Sequence, residues 1–147
     1  MKLMTLEDWN KIKHFSPNEN WGDWTRMYLS LFMALDKLRN LCGKPVYVNC
    51  GYATSGHSPR SYHYKGMAAD IHIKNMNVLD QFLFAEKIDE FNGIGIYPDW
   101  HNPGLHVDIR PHAKRFEKDS RWMGINVDGK QIYISLTSEN IKKFIFL

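Results

Sequence analysis

An aspartate stands inside a stretch that otherwise reads as a buried strand, Ala68-Ala69-Asp70-Ile71-His72-Ile73. A strand of this composition buries its aliphatic residues. A carboxylate among them is costly unless it is paired, hydrogen-bonded or bound to a metal. Whatever fold the chain adopts must therefore bring Asp70 a partner. The residues just upstream, Ser61-Tyr62-His63-Tyr64-Lys65-Gly66-Met67, read as a loop. Gly66 is free to take the turn that folds His63 back toward the strand. A histidine nitrogen and an aspartate oxygen are both ligands that zinc accepts.

A second block, Gly104-Leu105-His106-Val107-Asp108-Ile109-Arg110, has the same character. On a strand, His106 and Asp108 share one face while Leu105, Val107 and Ile109 take the other. Asp70 and His72 stand in the same relation. Laid side by side, the two strands gather four polar groups on one face. The competing reading is a solvated face, which half-exposed antiparallel strands commonly have. Six of the seven histidines fall between His57 and His112, and no structural need of histidine explains that clustering.

A chain of 147 residues suits one domain, taken here as 1–147. The formal charge of +3 is mild. The basic pairs Lys114-Arg115 and Lys142-Lys143 are scattered, so nucleic-acid binding is a weak reading. No apolar run reaches membrane-spanning length. Met1 to Trp9 carries acidic residues where a signal peptide needs an apolar core. The expected location is the cytoplasm, or outside it by a route that leaves no sequence trace. Cys42 and Cys50 then read as buried thiols, and their spacing is not a usual zinc pair.

Thr5 and Asp8 predict a helix start for Leu6–Phe15, stopped before Pro17. Asp23 is expected to cap a helix over Trp24–Leu41, where apolar residues recur at helical spacing, with Gly43 and Pro45 ending it. Strands are predicted at 45–49, 68–73, 94–97 and 105–110. A further pair, 121–125 and 131–136, flanks Asp128-Gly129, a strong hairpin signal. Asn75 or Asn77 caps a helix running to Phe91, and 138–144 forms a short closing helix. Residues 111–120 read as charged and irregular. Gly51–Arg60 is a long loop of the kind that carries function. This mixture predicts a single α+β domain, a central mostly antiparallel sheet with flanking helices.

The pattern Ser61-x-His63-x-x-Gly66-x-Ala68-x-Asp70, followed by Leu105-His106-Val107-Asp108, resembles the zinc D-Ala-D-Ala carboxypeptidases and L-alanyl-D-glutamate endopeptidases. That peptidase M15-like family has the hedgehog/DD-peptidase fold, includes phage endolysins, and cuts peptidoglycan stem peptides. Val48–Tyr52 and Ile94–Pro98 extend the likeness, which covers about residues 30–125. The resemblance implies zinc on His63, Asp70 and His106 with water in the fourth position, the arrangement of a catalytic rather than a structural site. It also implies a peptidase acting on peptidoglycan, with the lack of a signal peptide fitting a phage or prophage lysis enzyme released to the wall through a separate pore; the chain is expected to be a monomer.

The chain departs from the family at two places. Many members carry an acid three residues before the last histidine ligand, where this sequence has Pro103. Asp108 is the nearest replacement, either as the general base or as a partner orienting a ligand histidine. Asp99 and His101 are the alternatives. An arginine often follows the Gly-Tyr pair, where this chain has Ala53. Arg60 or Arg110 is expected to hold a substrate carboxylate instead, with Ser61 in support and Trp100 walling the groove. Trp122 reads as core. A rival reading is a zinc-containing binding or structural module that has lost its base.

Overall fold

In a computed structural model of the chain, which describes residues 1–112 and 119–146, the two polar blocks are neighbouring strands. The described elements are α1 (Leu29–Cys42), β1 (Val46–Cys50), β2 (Ala68–Ile73), α2 (Val78–Glu86), β3 (Gly93–Tyr97), β4 (Gly104–Asp108), β5 (Ser120–Val127), β6 (Lys130–Ser135) and α3 (Ser138–Phe144). The six strands form one sheet in the order β1-β2-β4-β3-β5-β6. Every pairing is antiparallel except β3 with β5. Three helices on this sheet make an α+β fold, as expected. No described helix is long and apolar enough to cross a membrane.

The sheet has two different faces because its strands alternate. Ile71, Ile94, Ile96, Leu105, Val107 and Met123 are fully buried and form one core with Leu31, Phe32, Leu35 and Leu38 of α1. Asp70, His106, Asp108 and Trp122 point the other way. Asp70 is in register with His106, and His106 with Gly95. Gly93 and Gly95 leave that face room that larger residues would fill. A Cβ on Gly95 would meet the Trp122 ring at 2.5 Å, and one on Gly93 would meet the Asp108 carboxylate. The solvated-face reading fails here: Asp70, His106 and Asp108 are all buried, Asp108 completely.

The helical predictions for the first forty residues need correction. Leu6–Phe15 is a short 3-10 turn, Glu7–Lys11. Thr5 and Asp8 do exchange reciprocal hydrogen bonds. The chain then leaves helical geometry as the amides of Lys13 and His14 donate to Asp36 of α1. The stretch Trp24–Leu41 is broken. Asp23 caps a single 3-10 turn, Trp24–Arg26, and Met27 and Tyr28 are extended. Their backbone groups are taken by other segments: Met27 O accepts from Met4 N, and Tyr28 N donates to Gly66 O. Tertiary pairing overrides helix propensity here. The helix capped by Asn77 ends at Glu86, not Phe91. Ile88 and Phe91 are nevertheless buried.

The hairpin is as read. Asp128 and Gly129 both take positive φ, 51° and 79°, and join β5 to β6, the backbone that a two-residue primed turn requires. Of the irregular stretch predicted at 111–120, residues 113–118, including Lys114 and Arg115, lie outside the described residues.

Candidate metal centre and cleft

Three elements deliver the cluster. A 3-10 turn, Tyr62–Lys65, carries His63, with the Ser61 side chain accepting from His63 N at its start. Gly66 ends the turn at φ 70°, and a Cβ there would strike the Arg26 carbonyl. The turn therefore closes only with glycine, and closing it brings His63 over β2. Asp70 comes from β2 and His106 from β4.

His63 Nε2 lies 3.1 Å from Asp70 Oδ1, and His106 Nδ1 lies 3.3 Å from the same oxygen. Two ligand atoms on a tetrahedral ion with bonds of about 2.0–2.1 Å stand about 3.3 Å apart. Both separations from Asp70 Oδ1 are compatible with ligands sharing one ion, and the shorter is equally that of a direct hydrogen bond. The outer nitrogens are also engaged. His63 Nδ1 is 2.7 Å from the Gly51 carbonyl, and His106 Nε2 is 2.7 Å from Asp108 Oδ2. Each imidazole thus faces an oxygen at both nitrogens. Only an imidazolium, or a neutral ring with a metal in place of one proton, satisfies both. Such outer partners fix the tautomer of a ligand histidine.

The electrostatics say the same. Burial alone would push His63 down, but the Asp70 carboxylate, the Cys50 sulfur and the Gly51 carbonyl together outweigh this and raise it to about 10. Burial opposes the charged form of His106 too, and its bonds to Asp108 and Asp70 raise it. Burial pushes Asp70 up, yet the two histidines hold it well below the usual carboxylate range. The site wants positive charge at the point where the three side chains meet.

Asp108 is placed to orient, not to meet solvent. It is 0% exposed. Its Oδ2 faces His106 Nε2 and accepts from Arg110 Nη2, and its Oδ1 accepts from Arg110 N and Nε. Arg110 completes the brace with Nη1 on Ser120 Oγ, and its guanidinium lies over the Tyr62 and Trp122 rings. The fork that was expected to hold a substrate carboxylate is thus occupied by a carboxylate of the chain itself.

The cluster lies in a cleft of about 990 Å³, lined by the Gly56–His63 loop, by Arg110 and by the aromatic rings of Tyr97, Trp100, Trp122 and Tyr133. Trp122 is therefore a wall residue more than core, with its ring 5.2 Å from that of His106. Arg60, Ser61 and Trp100 line the cleft as well. Asp99 and His101 do not. Both are exposed, and Asp99 accepts from Asn126 N. Among the described residues, Asp70 is the only carboxylate in the cleft wall. His72 faces a separate hollow, where its Nδ1 meets Asn49 Oδ1.

Sequence reasoning missed Cys50. Both cysteines are free and half-buried, not buried. The donor atoms of Cys50, His57, His63 and Asp70 lie within 4.8 Å of one another. The register Cys50↔Asp70 was the signal for this, and it follows only from a break in the β1–β2 ladder between Val48 and Cys50.

A buried two-histidine, one-carboxylate cluster at the floor of an open cleft is compatible with a catalytic metal centre. A family model described as peptidase M15 matches residues 8–108. The chain belongs to that family. The match starts earlier than the expected span of about 30–125 and stops at Asp108, before the β5–β6 hairpin. No curated protein matches the chain.

Proposed function

We propose that the chain is a zinc-dependent peptidase that hydrolyses peptide bonds in peptidoglycan stem peptides, with His63, Asp70 and His106 holding the metal. The observation that carries this reading is the approach of His63 Nε2 and His106 Nδ1 to one oxygen of Asp70, at separations of 3.1 and 3.3 Å. A bound zinc would supply Lewis acidity toward water and a peptide carbonyl. The protein's own part is orientation and proton handling. Gly51 fixes the His63 ring, and Asp108, itself clamped by Arg110, fixes His106.

Arg60 is exposed at the cleft, and among the described residues it forms no ion pair. It is the arginine left to meet a carboxylate of a stem peptide, while the aromatic wall takes the peptide's apolar parts. Proton transfer falls to an imidazole, because the cleft wall offers no described carboxylate besides Asp70. His57 stands there, half-buried and stacked on His63 with centroids 4.1 Å apart. Its burial lowers its pKa, which favours the neutral form a base needs.

The protein acts as a monomer without nucleic acid, and as a phage or prophage lysis enzyme it would wait in the cytoplasm until a separate pore releases it to the wall. The test pairs metal analysis of the purified protein with digestion of purified peptidoglycan and mass analysis of the fragments. Zinc near one per chain with new amino or carboxyl ends is the expected result, and the fragments name the bond. Zinc without cleavage across walls and pH would favour a binding module of the same fold, a reading that Pro103 and the carboxylate-poor cleft wall keep open.

A further inference from the structure

Next to the three-donor set stands a pair of side chains that the proposed zinc does not use. The irregularity between Val48 and Cys50 sets Cys50 opposite Asp70, and bulges of this kind re-aim side chains. Cys50 Sγ lies 3.6 Å from His57 Nε2. On a tetrahedral ion with a sulfur bond of about 2.3 Å and a nitrogen bond of about 2.0–2.1 Å, the two atoms stand about 3.5 Å apart. His57 is held in place: the Tyr64 hydroxyl accepts from His57 N at 2.8 Å and donates to His57 O at 2.7 Å. Its ring lies nearly parallel to that of His63, at 17°.

We infer that Cys50 and His57 form a second metal position in the cleft wall, taking a thiophilic divalent ion such as cadmium, or zinc in excess, on Cys50 Sγ and His57 Nε2. The thiol binds as thiolate, its proton passing to solvent as the sulfur–metal bond forms. Asp70, whose donor oxygen is within 4.8 Å of Cys50 Sγ and of a ring nitrogen of His57, is the carboxylate near enough to share. Soft thiolate sulfur selects such ions over magnesium or calcium. The inference does not need the peptidase reading, whose metal rests on His63, Asp70 and His106, but an ion on His57 Nε2 would block the proton-accepting role proposed for that ring.

The test is a titration of the chelator-stripped chain with cadmium chloride, following the ultraviolet thiolate-to-cadmium charge-transfer band and the metal retained after desalting. The wild-type chain should bind two equivalents, one of them accompanied by the band. Cys50→Ser should lose the band and that equivalent and keep the other. His57→Ala should shift the band to higher cadmium. Cys42→Ser should leave it intact, since Cys42 sits at the far end of α1 against the Arg39 and Lys44 carbonyls. A wild-type chain without the band, a band that survives Cys50→Ser, or one abolished by Cys42→Ser overturns the inference. If circular dichroism shows that Cys50→Ser does not fold, His57→Ala decides, and an unshifted band there also overturns it. His106→Ala separates the two sites. It should remove the band-free equivalent alone, and a band-free equivalent that survives it counts against the zinc ligand set while leaving Cys50 and His57 untouched.

Discussion

Replacing Asp108 with asparagine leaves the volume of the site unchanged and removes a charge from its most buried point. The carboxylate satisfies Arg110 through both oxygens and His106 through one. An asparagine keeps one oxygen and presents an NH₂ to the other set of donors. Breaking a buried ion pair by removing one partner costs about 3–5 kcal/mol. The Arg110 side chain is 23% exposed, so water relieves part of its loss, and the lower end, about 3 kcal/mol, applies. At about 2–4 °C per kcal/mol for a domain of this size, the melting temperature should fall by roughly 6–12 °C. His106 also loses the partner that holds its ring, so zinc affinity should drop about tenfold to a hundredfold. Thermal unfolding by circular dichroism in chelator reads the first effect, and a competitive zinc titration reads the second. A variant with wild-type melting temperature and wild-type zinc affinity that has lost only turnover would refute the bracing role and make Asp108 the proton acceptor.

Three further outcomes are expected. His63→Ala should abolish the rise in melting temperature that zinc gives the wild-type chain, a rise worth about 2.7 kcal/mol at a hundred times Kd; an undiminished rise would remove His63 from the ligand set. Metal-free stability should depend on pH in both directions. The raised pKa of His63 contributes stability below the unfolded value of about 6.5, and this is lost as pH climbs through about 10. The lowered pKa values of Asp70 and Asp108 contribute above about 3.9, and this is lost in acid. Melting curves in chelator should therefore peak in mildly acidic buffer, and the zinc-loaded protein should hold its stability further into alkali, because metal needs neutral histidine. Equal metal-free stability at mildly acid and alkaline pH would contradict this. Finally, Gly66→Ala, with φ 70° and the Arg26 carbonyl in its path, should cost more than about 2 kcal/mol in urea unfolding; a loss within error would mean that the turn can relax.

The face each polar residue takes was legible because alternation has only one way to bury Leu105, Val107 and Ile71. That the two blocks pair was not, since alternation leaves strand order open, and the β2–β4 register supplies it. Once β2 and β4 are neighbours, Asp70 and His106 meet without further information. The turn at Asp128-Gly129 was legible for the same reason, its residues being those that the backbone requires. The broken helices were not. Met27 and Tyr28 fit a helical stripe, and only contacts with Met4 and Gly66 pull them out of it. Arg110 read as a free cation because sequence shows charge but not what the charge is already holding. Cys50 read as a buried thiol because the shift in the β1–β2 ladder that sets it beside His57 leaves no residue signature.

The position of β4 in the sheet has a consequence for how the site comes into being. His63 and Asp70 are seven residues apart and can meet as soon as the Gly66 turn closes. His106 joins them only when β4 slots between β2 and β3, with α2 and β3 already made in the intervening chain. That step closes a longer loop, and loop closure of this kind slows folding. On the ribosome, a nascent chain that has not yet emerged past β4 holds two of the three donors and has no strand to seat the third. Loading of the proposed zinc would then be one of the last events in folding, a report that the middle of the sheet has closed.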